Sequence, residues 1–190
     1  MKVEVTKMDK CRCFWCNLKN GTYVRYYDEE WGVPRFDDPY LFEMLLLESF
    51  QAGLSWECVL NKRESFRTAF DGFDVDKVAS YDEEKKAALA ADAGIIRNRL
   101  KIKAAVRNAQ IFKDIAAECG SFEAYLRKFW DGKVIYENTE TRSPLSDAIS
   151  KDLMTRGMKF VGTTIIYAYL QAIGIIDSHD DACYLYSGSK

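Results

Sequence analysis

Helix start and stop signals punctuate this chain almost from end to end, and nothing restricts its fold more. Asp38-Pro39, followed by Tyr40 to Ala52 and then Gly53, frames one apolar segment with a capping side chain, a proline at the first helical position and a glycine stop. Ser55 opens a second predicted helix, Trp56 to about Phe70, which Asp71-Gly72 ends. Asp74 and Asp82 open two more, the latter closing at Gly94. Arg97 to Glu118 forms a long helical stretch closed by Cys119-Gly120, and Ser121 starts another towards Trp130. Ser146 caps Asp147 to Arg156, and Thr163 to Ile173 precedes Gly174. Only Lys133 to Glu137 reads as extended, too short to build a sheet. There is no internal repeat and no linker long enough to separate independent folding units. The pattern predicts an all-α domain over residues 11–190, its helices in two lobes flanking a cleft, preceded by a short extension at residues 1–10.

Charge narrows the choice of partners less than it first suggests. The 27 basic and 29 acidic side chains leave a net charge of −2, so a strongly basic whole is excluded while a local basic face is not. Arg97, Arg99, Lys101, Lys103 and Arg107 form such a run with no acid among them, either a solvated helix face or a stripe for phosphates. The longest uncharged run, Phe160 to Ile176, falls short of the roughly 20 residues of a membrane span and is broken by glycines, threonines and Gln171. A buried helix is expected there, and no membrane contact. Met1 to Lys10 has no apolar signal core, and six cysteines are too few for a secreted disulfide scaffold, so a cytoplasmic, reduced protein is expected.

One acid interrupts an apolar stripe. Leu41, Leu45 and Glu48 share a face of the Tyr40 helix, with Met44 on its border. An ionised carboxylate in such a place needs a partner or a cavity. Its two readings are an internal salt bridge and a carboxylate lining a pocket. Trp15, Tyr23, Tyr26, Tyr27, Trp31 and Trp56 flank it in sequence. Such aromatics serve as core, or with the acid they make a slot for a flat cation, because ring faces are electron-rich.

Gly157 to Thr164 joins two helices through a glycine-hinged hairpin, read either as an ordinary tight connection or as a backbone cradle for a DNA phosphate. Cys11, Cys13 and Cys16 near one end, with His179 and Cys183 near the other, carry donor types suited to tetrahedral zinc. A site joining both ends would be a structural clasp; the alternative is free thiols and an ordinary histidine.

Taken together, the motifs resemble a known family. Arg12-Cys13-Phe14-Trp15, Tyr26-Tyr27-Asp28-Glu29-Glu30-Trp31-Gly32-Val33-Pro34, Glu48, Gln51-Ala52-Gly53-Leu54-Ser55-Trp56, Asp92-Ala93-Gly94-Ile95-Ile96-Arg97-Asn98 and Lys159-Phe160-Val161-Gly162-Thr163-Thr164 are similar to the 3-methyladenine DNA glycosylase I (Tag) family. The resemblance runs from Arg12 to about Tyr184. It implies a helix–hairpin–helix fold and excision of 3-methyladenine from alkylated double-stranded DNA; a monomer is expected. By that likeness Glu48 contacts the flipped base, Trp56 stacks on it, and Tyr26 and Trp31 form the pocket, with Trp15 and Tyr23 completing its wall. Gly53 and Leu54 meet the gap in the DNA, while Gly157, Lys159, Gly162, Thr163 and Thr164 hold the backbone. It also implies a structural zinc on Cys13, His179 and Cys183, but Tyr27 stands where the family has a histidine ligand. The fourth ligand is then Cys11, Cys16 or Tyr27, or the clasp is metal-free. The rival functions are a non-catalytic DNA-binding module and an enzyme for another cationic, nucleobase-like small molecule.

Overall fold

A computed structural model describes residues 10–188, so the extension expected at residues 1–10 lies outside the described residues except for Lys10. The helices are α1 (Gly21–Glu29), α2 (Asp38–Gln51), α3 (Trp56–Leu60), α4 (Arg63–Ala69), α5 (Val75–Ala79), α6 (Glu83–Ala91), α7 (Arg99–Cys119), α8 (Phe122–Leu126), α9 (Pro144–Thr155) and α10 (Thr163–Ala172). The all-α expectation holds, with one addition. Two-residue strands β1 (Ile135–Tyr136) and β2 (Ile176–Asp177) pair in parallel, Ile135 opposite Ile176.

Capping explains most boundaries and corrects several. Asn20 caps α1, a helix with no expected counterpart, by accepting hydrogen bonds from the Thr22 and Tyr23 amides. Asp37, not Asp38, caps α2; Asp38 is its first residue, and its carboxylate accepts instead from the Phe122 amide of α8. Ser143, not Ser146, caps α9, with Ser146 at the third position completing a capping box. The single helix expected from Trp56 to Phe70 breaks at Asn61-Lys62, where Asn61 accepts from Asn20 and Lys62 reaches the carbonyls of Ala93 and Gly94. Asn98 caps α7, and Gly120, with φ of 94°, closes it through a left-handed residue that costs glycine least.

Helix α2 runs through the interior. Eleven of its fourteen residues are buried, because α3, α7, α8 and α10 all pack on it. Phe42 meets Phe112 of α7, which stacks on Phe122 of α8. One continuous apolar core extends from Cys13 to Cys183, so the two expected lobes share an interior. No described helix is long and apolar enough to cross a membrane, and α10 within the long uncharged run is a core helix.

The segment after α1 docks on the far end of α10. The Gly32 amide donates to the Gln171 carbonyl, and the Arg35 amide to Ile173. Gly174 sits beneath this crossing with φ of 77°, and a Cβ there would overlap the backbone of Val33 and Pro34. Gly174→Ala is therefore expected to cost about 2–4 kcal/mol, combining left-handed strain with backbone displacement. Urea unfolding should show a lower midpoint at unchanged slope; a midpoint equal to wild type would mean that the crossing is loose.

Candidate active site

Three elements bring the nominated aromatics together. Helix α1 carries Tyr23 and Tyr26 three residues apart, hence neighbours on its surface, and Trp31 follows its end. Trp15, from the segment before α1, packs edge-on against Trp31 with ring centroids 4.7 Å apart and also touches Tyr23. Trp56 begins α3, capped by Ser55, and its ring lies 5.3 Å from that of Tyr26. Between them lies a cavity of about 250 Å³ whose wall includes Trp15, Tyr23, Tyr26, Trp31, Glu48 and Trp56. That is below the roughly 300–1,000 Å³ of sites for drug-sized ligands, and suits a single flat heterocycle.

Glu48 reaches this wall from α2. Its side chain is buried, at 3 % exposure, and its Oε2 has no hydrogen-bond partner among the described residues. The cations that could have neutralised it go elsewhere. Arg63 and Arg67 both bind Glu43, one turn earlier on α2, and Arg63 also binds Glu30. The salt-bridge reading of Glu48 is thus overturned: the arginines lie on the other side of Tyr26, with Glu43 and Glu30. Burial alone pushes the Glu48 carboxyl up to about 8, because no donor or cation offsets the cost of ionising it there. A second polar atom, Trp56 Nε1, is also buried without a partner among the described residues. The wall therefore presents one unsatisfied acceptor and one unsatisfied donor, a condition that native interiors tolerate mainly at functional sites.

The rest of the wall was not nominated from sequence. Gln51, Asn138, Ala168, Gln171 and Ser178 complete it. Gln171 Nε2 donates to Ser178 Oγ at 2.7 Å, and Ser178 donates onward to the Glu137 carbonyl. Gln51 lies in a motif that carried the resemblance, a signal that could have found it. Asn138 and Ser178 arrive only because β1 pairs with β2, which no local pattern announces.

The residues nominated to meet DNA occupy two exposed turns. Gly53 takes φ of 78° just after α2, leaving Leu54 42 % exposed ahead of the Ser55 cap. In the hairpin, Gly157 and Phe160 are both left-handed, with φ of 103° and 56°. Lys159, Gly162 and Thr164 are exposed, and Gly162 offers α10 no side-chain cap, which leaves that helix's first amides open. Thr163 is held from behind: its hydroxyl donates to Asp147 at 2.6 Å and contacts Ser146.

The two chain ends do meet, around Tyr27. Its hydroxyl accepts from the Cys13 amide and lies 3.0 Å from Cys183 Sγ. Cys13 Sγ accepts from the Asp180 amide, and the Tyr184 amide donates to the Cys11 carbonyl. Arg12 adds a two-pronged ion pair to Asp28 at 2.6 and 2.7 Å. His179 packs edge-on against Trp31 and Tyr27, with Nδ1 2.6 Å from Asp177 and Nε2 buried without a partner among the described residues. A zinc ion needs about four donors converging on one point. Among the described residues no three His, Cys, Asp or Glu side chains converge in that way, and the Tyr27 hydroxyl already engages Cys183. Cys16 is buried but completes no set, and Cys11 is exposed. As arranged, these residues do not fit zinc.

Known proteins share this sequence and this shape. A family model described as methyladenine glycosylase matches residues 15–186. DNA-3-methyladenine glycosylase 1 of Escherichia coli is 43 % identical over 94 % of this chain and 98 % of its own length. DNA-3-methyladenine glycosylase of Haemophilus influenzae is 40 % identical over 90 % and 96 %. A crystal structure of 3-methyladenine DNA glycosylase I (TAG) superposes with a TM-score of 0.88 at 40 % identity, over 93 % of this chain and all of that one. A TAG crystal structure in complex with 3-methyladenine does so at 0.84 and 33 % identity, over 87 % and 92 %. With likeness along nearly the whole length in sequence and in coordinates, the chain belongs to the methyladenine glycosylase family.

Proposed function

We infer that this chain is a DNA glycosylase of base-excision repair, hydrolysing the N-glycosidic bond of 3-methyladenine in alkylated double-stranded DNA. The observation that carries the reading is Glu48, a buried carboxyl with no cation beside it among the described residues, in the wall of an aromatic slot. The named activity of the relatives supports it. Methylation at N3 gives the adenine a formal positive charge in the nucleotide, so the base leaves without being protonated. What remains for the protein is to extract the nucleotide, hold the cationic base and admit water to the sugar carbon. Trp56 offers a stacking face, and Glu48 supplies the charge complement. In the empty slot the carboxyl keeps its proton at neutral pH; a cation entering favours the carboxylate, so the proton leaves as the base arrives. Neutral adenine offers no such exchange and is a poorer leaving group, so selectivity comes from both partners. Glu48 acts in this reading as a recognition group rather than a general base. Leu54 enters the gap left by the base, and the open amides of α10 with Lys159 take a backbone phosphate. A non-catalytic DNA-binding module would have its aromatics closed into core and Glu48 paired; the cavity and the unpaired carboxyl favour catalysis.

Alkylated duplex incubated with the protein should release 3-methyladenine, identified chromatographically, and Glu48→Gln should lower kcat/KM about 100-fold or more. Wild-type protein that frees no base from duplex but turns over a small nucleobase derivative would transfer the assignment to the small-molecule enzyme. The same substitution tests the carboxyl through stability. The native group holds its proton to about pH 8 and the unfolded one only to about 4.5, so its contribution to stability falls as pH rises through that window. Glu48→Gln should accordingly be near neutral at pH 4 and stabilising by on the order of 5 kcal/mol at pH 9. Equal urea midpoints for variant and wild type at both pH values would show that a partner neutralises the carboxylate.

For the clasp we infer closure through Tyr27 rather than through zinc, which if bound would supply a structural anchor on Cys13, His179 and Cys183. Protein purified without added metal is expected to hold less than about 0.1 zinc per chain, and Tyr27→His, which supplies an imidazole and removes the phenol, to approach about one. Stoichiometric zinc in wild type, lost in Cys183→Ser, would restore the metal.

A further inference from the structure

Lys101 and Asn108 are buried polar residues to which neither slot nor core gives a task. They lie seven residues apart on α7, two turns along one face and about 10 Å in rise. Lys101 Nζ donates to the carbonyls of Phe50 at 2.8 Å and Ala52 at 2.5 Å. These belong to the C-terminal end of α2, where the capping residue Ala52 has extended ψ of 112°, Gly53 is left-handed at φ of 78°, and the Leu54 amide closes the turn onto the Gln51 carbonyl rather than onto Phe50 or Ala52. The ammonium takes the two carbonyls that this turn leaves open, and it meets the negative end of the helix dipole. It fixes the direction in which the chain leaves α2, and with it the arc from Glu48 through Leu54 to Trp56. Asn108 treats the hairpin in the same manner. Its Nδ2 donates to the Lys159 carbonyl and its Oδ1 accepts from the Lys159 amide, both at 2.9 Å, as a neighbouring β-strand would. Phe160, next in the hairpin and strained at φ of 56°, lays its ring 5.8 Å from the Lys101 ammonium, joining the two supports.

We propose that Lys101 and Asn108 are positioning residues that fix the turn at 51–55 and the hairpin at 157–162 at a set spacing along α7, so that the turn enters the duplex where the hairpin has registered the backbone. The proposal rests on the glycosylase reading. It assigns different losses to the two residues. Without Lys101 the turn that carries Leu54 wanders, and extraction of the base slows. Without Asn108 the hairpin amides lose their alignment, and the duplex is held less well.

The test compares wild type, Lys101→Met, Lys101→Arg and Asn108→Leu in three measurements. These are binding of free 3-methyladenine by tryptophan fluorescence, single-turnover excision from lesion-bearing duplex, and salt-dependent affinity for a duplex containing an abasic-site analogue. Lys101→Met should bind the free base within about twofold of wild type yet excise about 10- to 100-fold more slowly at saturating enzyme, with Lys101→Arg recovering some of the rate. Asn108→Leu should weaken duplex affinity about tenfold and flatten its salt slope by about one, leaving the saturated rate within about threefold. Free-base affinity falling in step with excision in both variants would reduce the two residues to general stability and overturn the proposal, as would wild-type behaviour of Lys101→Met. Wild-type protein that releases no base from duplex sinks the glycosylase reading and this inference together, whereas an active wild type with unaffected variants sinks the inference alone.

Discussion

The organisation of the site follows from one constraint, the cost of keeping a carboxyl in the interior with nothing to neutralise it. Removing a charged group from water without compensation costs several kcal/mol, and proteins commonly meet that cost with an ion pair. Here the available arginines are gathered around Glu43 and Glu30 on the far side of Tyr26, which leaves Glu48 to answer burial by holding its proton. A group in that condition stores affinity for a positive ligand. Two acids five residues apart on the same helix thus meet opposite surroundings, Glu43 saturated with guanidinium and Glu48 without it among the described residues, and only the second is left open to the recognition role proposed for it.

Holding such a site open requires walls that do not collapse onto it, and these come from distant stretches of the chain. Trp15 and Trp31 are fixed by the segment that Arg12 ties to Asp28 and by the docking of Gly32 and Arg35 on the end of α10. Ser178 and Asn138 are delivered by the two-residue strand pair. His179, adjacent to Ser178, packs under Trp31, so the meeting of the chain ends forms the floor of the slot. The Tyr27 hydroxyl between the Cys13 amide and the Cys183 thiol gives this floor a hydrogen-bonded pin at the place where the resemblance implied a metal.

How much of this can be read from residues alone depends on range. Glu48 is visible because a helix repeats locally: an acid in register with Leu41 and Leu45 is an anomaly that needs no tertiary knowledge. Cap positions shift by one or three residues where two good capping residues lie close together, as with Asp37 and Asp38 or Ser143 and Ser146. The break after Leu60 has no local signal because Lys62 answers to carbonyls some thirty residues away. Tyr27 stands out as a departure from the family pattern, but its consequence depends on both chain ends at once. Lys101 belongs by sequence to a run of five cations, yet it is buried while Arg97, Arg99, Lys103 and Arg107 remain exposed; helical phase, more than composition, separates it from them.

That same phase resolves how a chain with net charge −2 can address a polyanion. Screening in physiological salt reduces interactions beyond roughly 8–10 Å, so a phosphate responds to the face in front of it and hardly to the sum over the molecule. Arg97, Arg99, Lys103 and Arg107 are exposed along and just before α7, and the ion pairs of the described residues draw on other cations, such as Lys86 with Glu83 and Lys113 with Asp76. Lys103 and Arg107 border an apolar hollow with Leu100, Lys159 and Phe160, which continues the cationic strip onto the hairpin. Many of the acids, by contrast, are engaged: Asp28 by Arg12, Glu43 by two arginines, Asp147 by Thr163 and Arg142, Glu118 by Arg156. A small net charge therefore conceals a sorted surface, positive where the hairpin opens and without ion pairs there among the described residues, while Glu48 contributes no charge to it so long as burial keeps the carboxyl protonated.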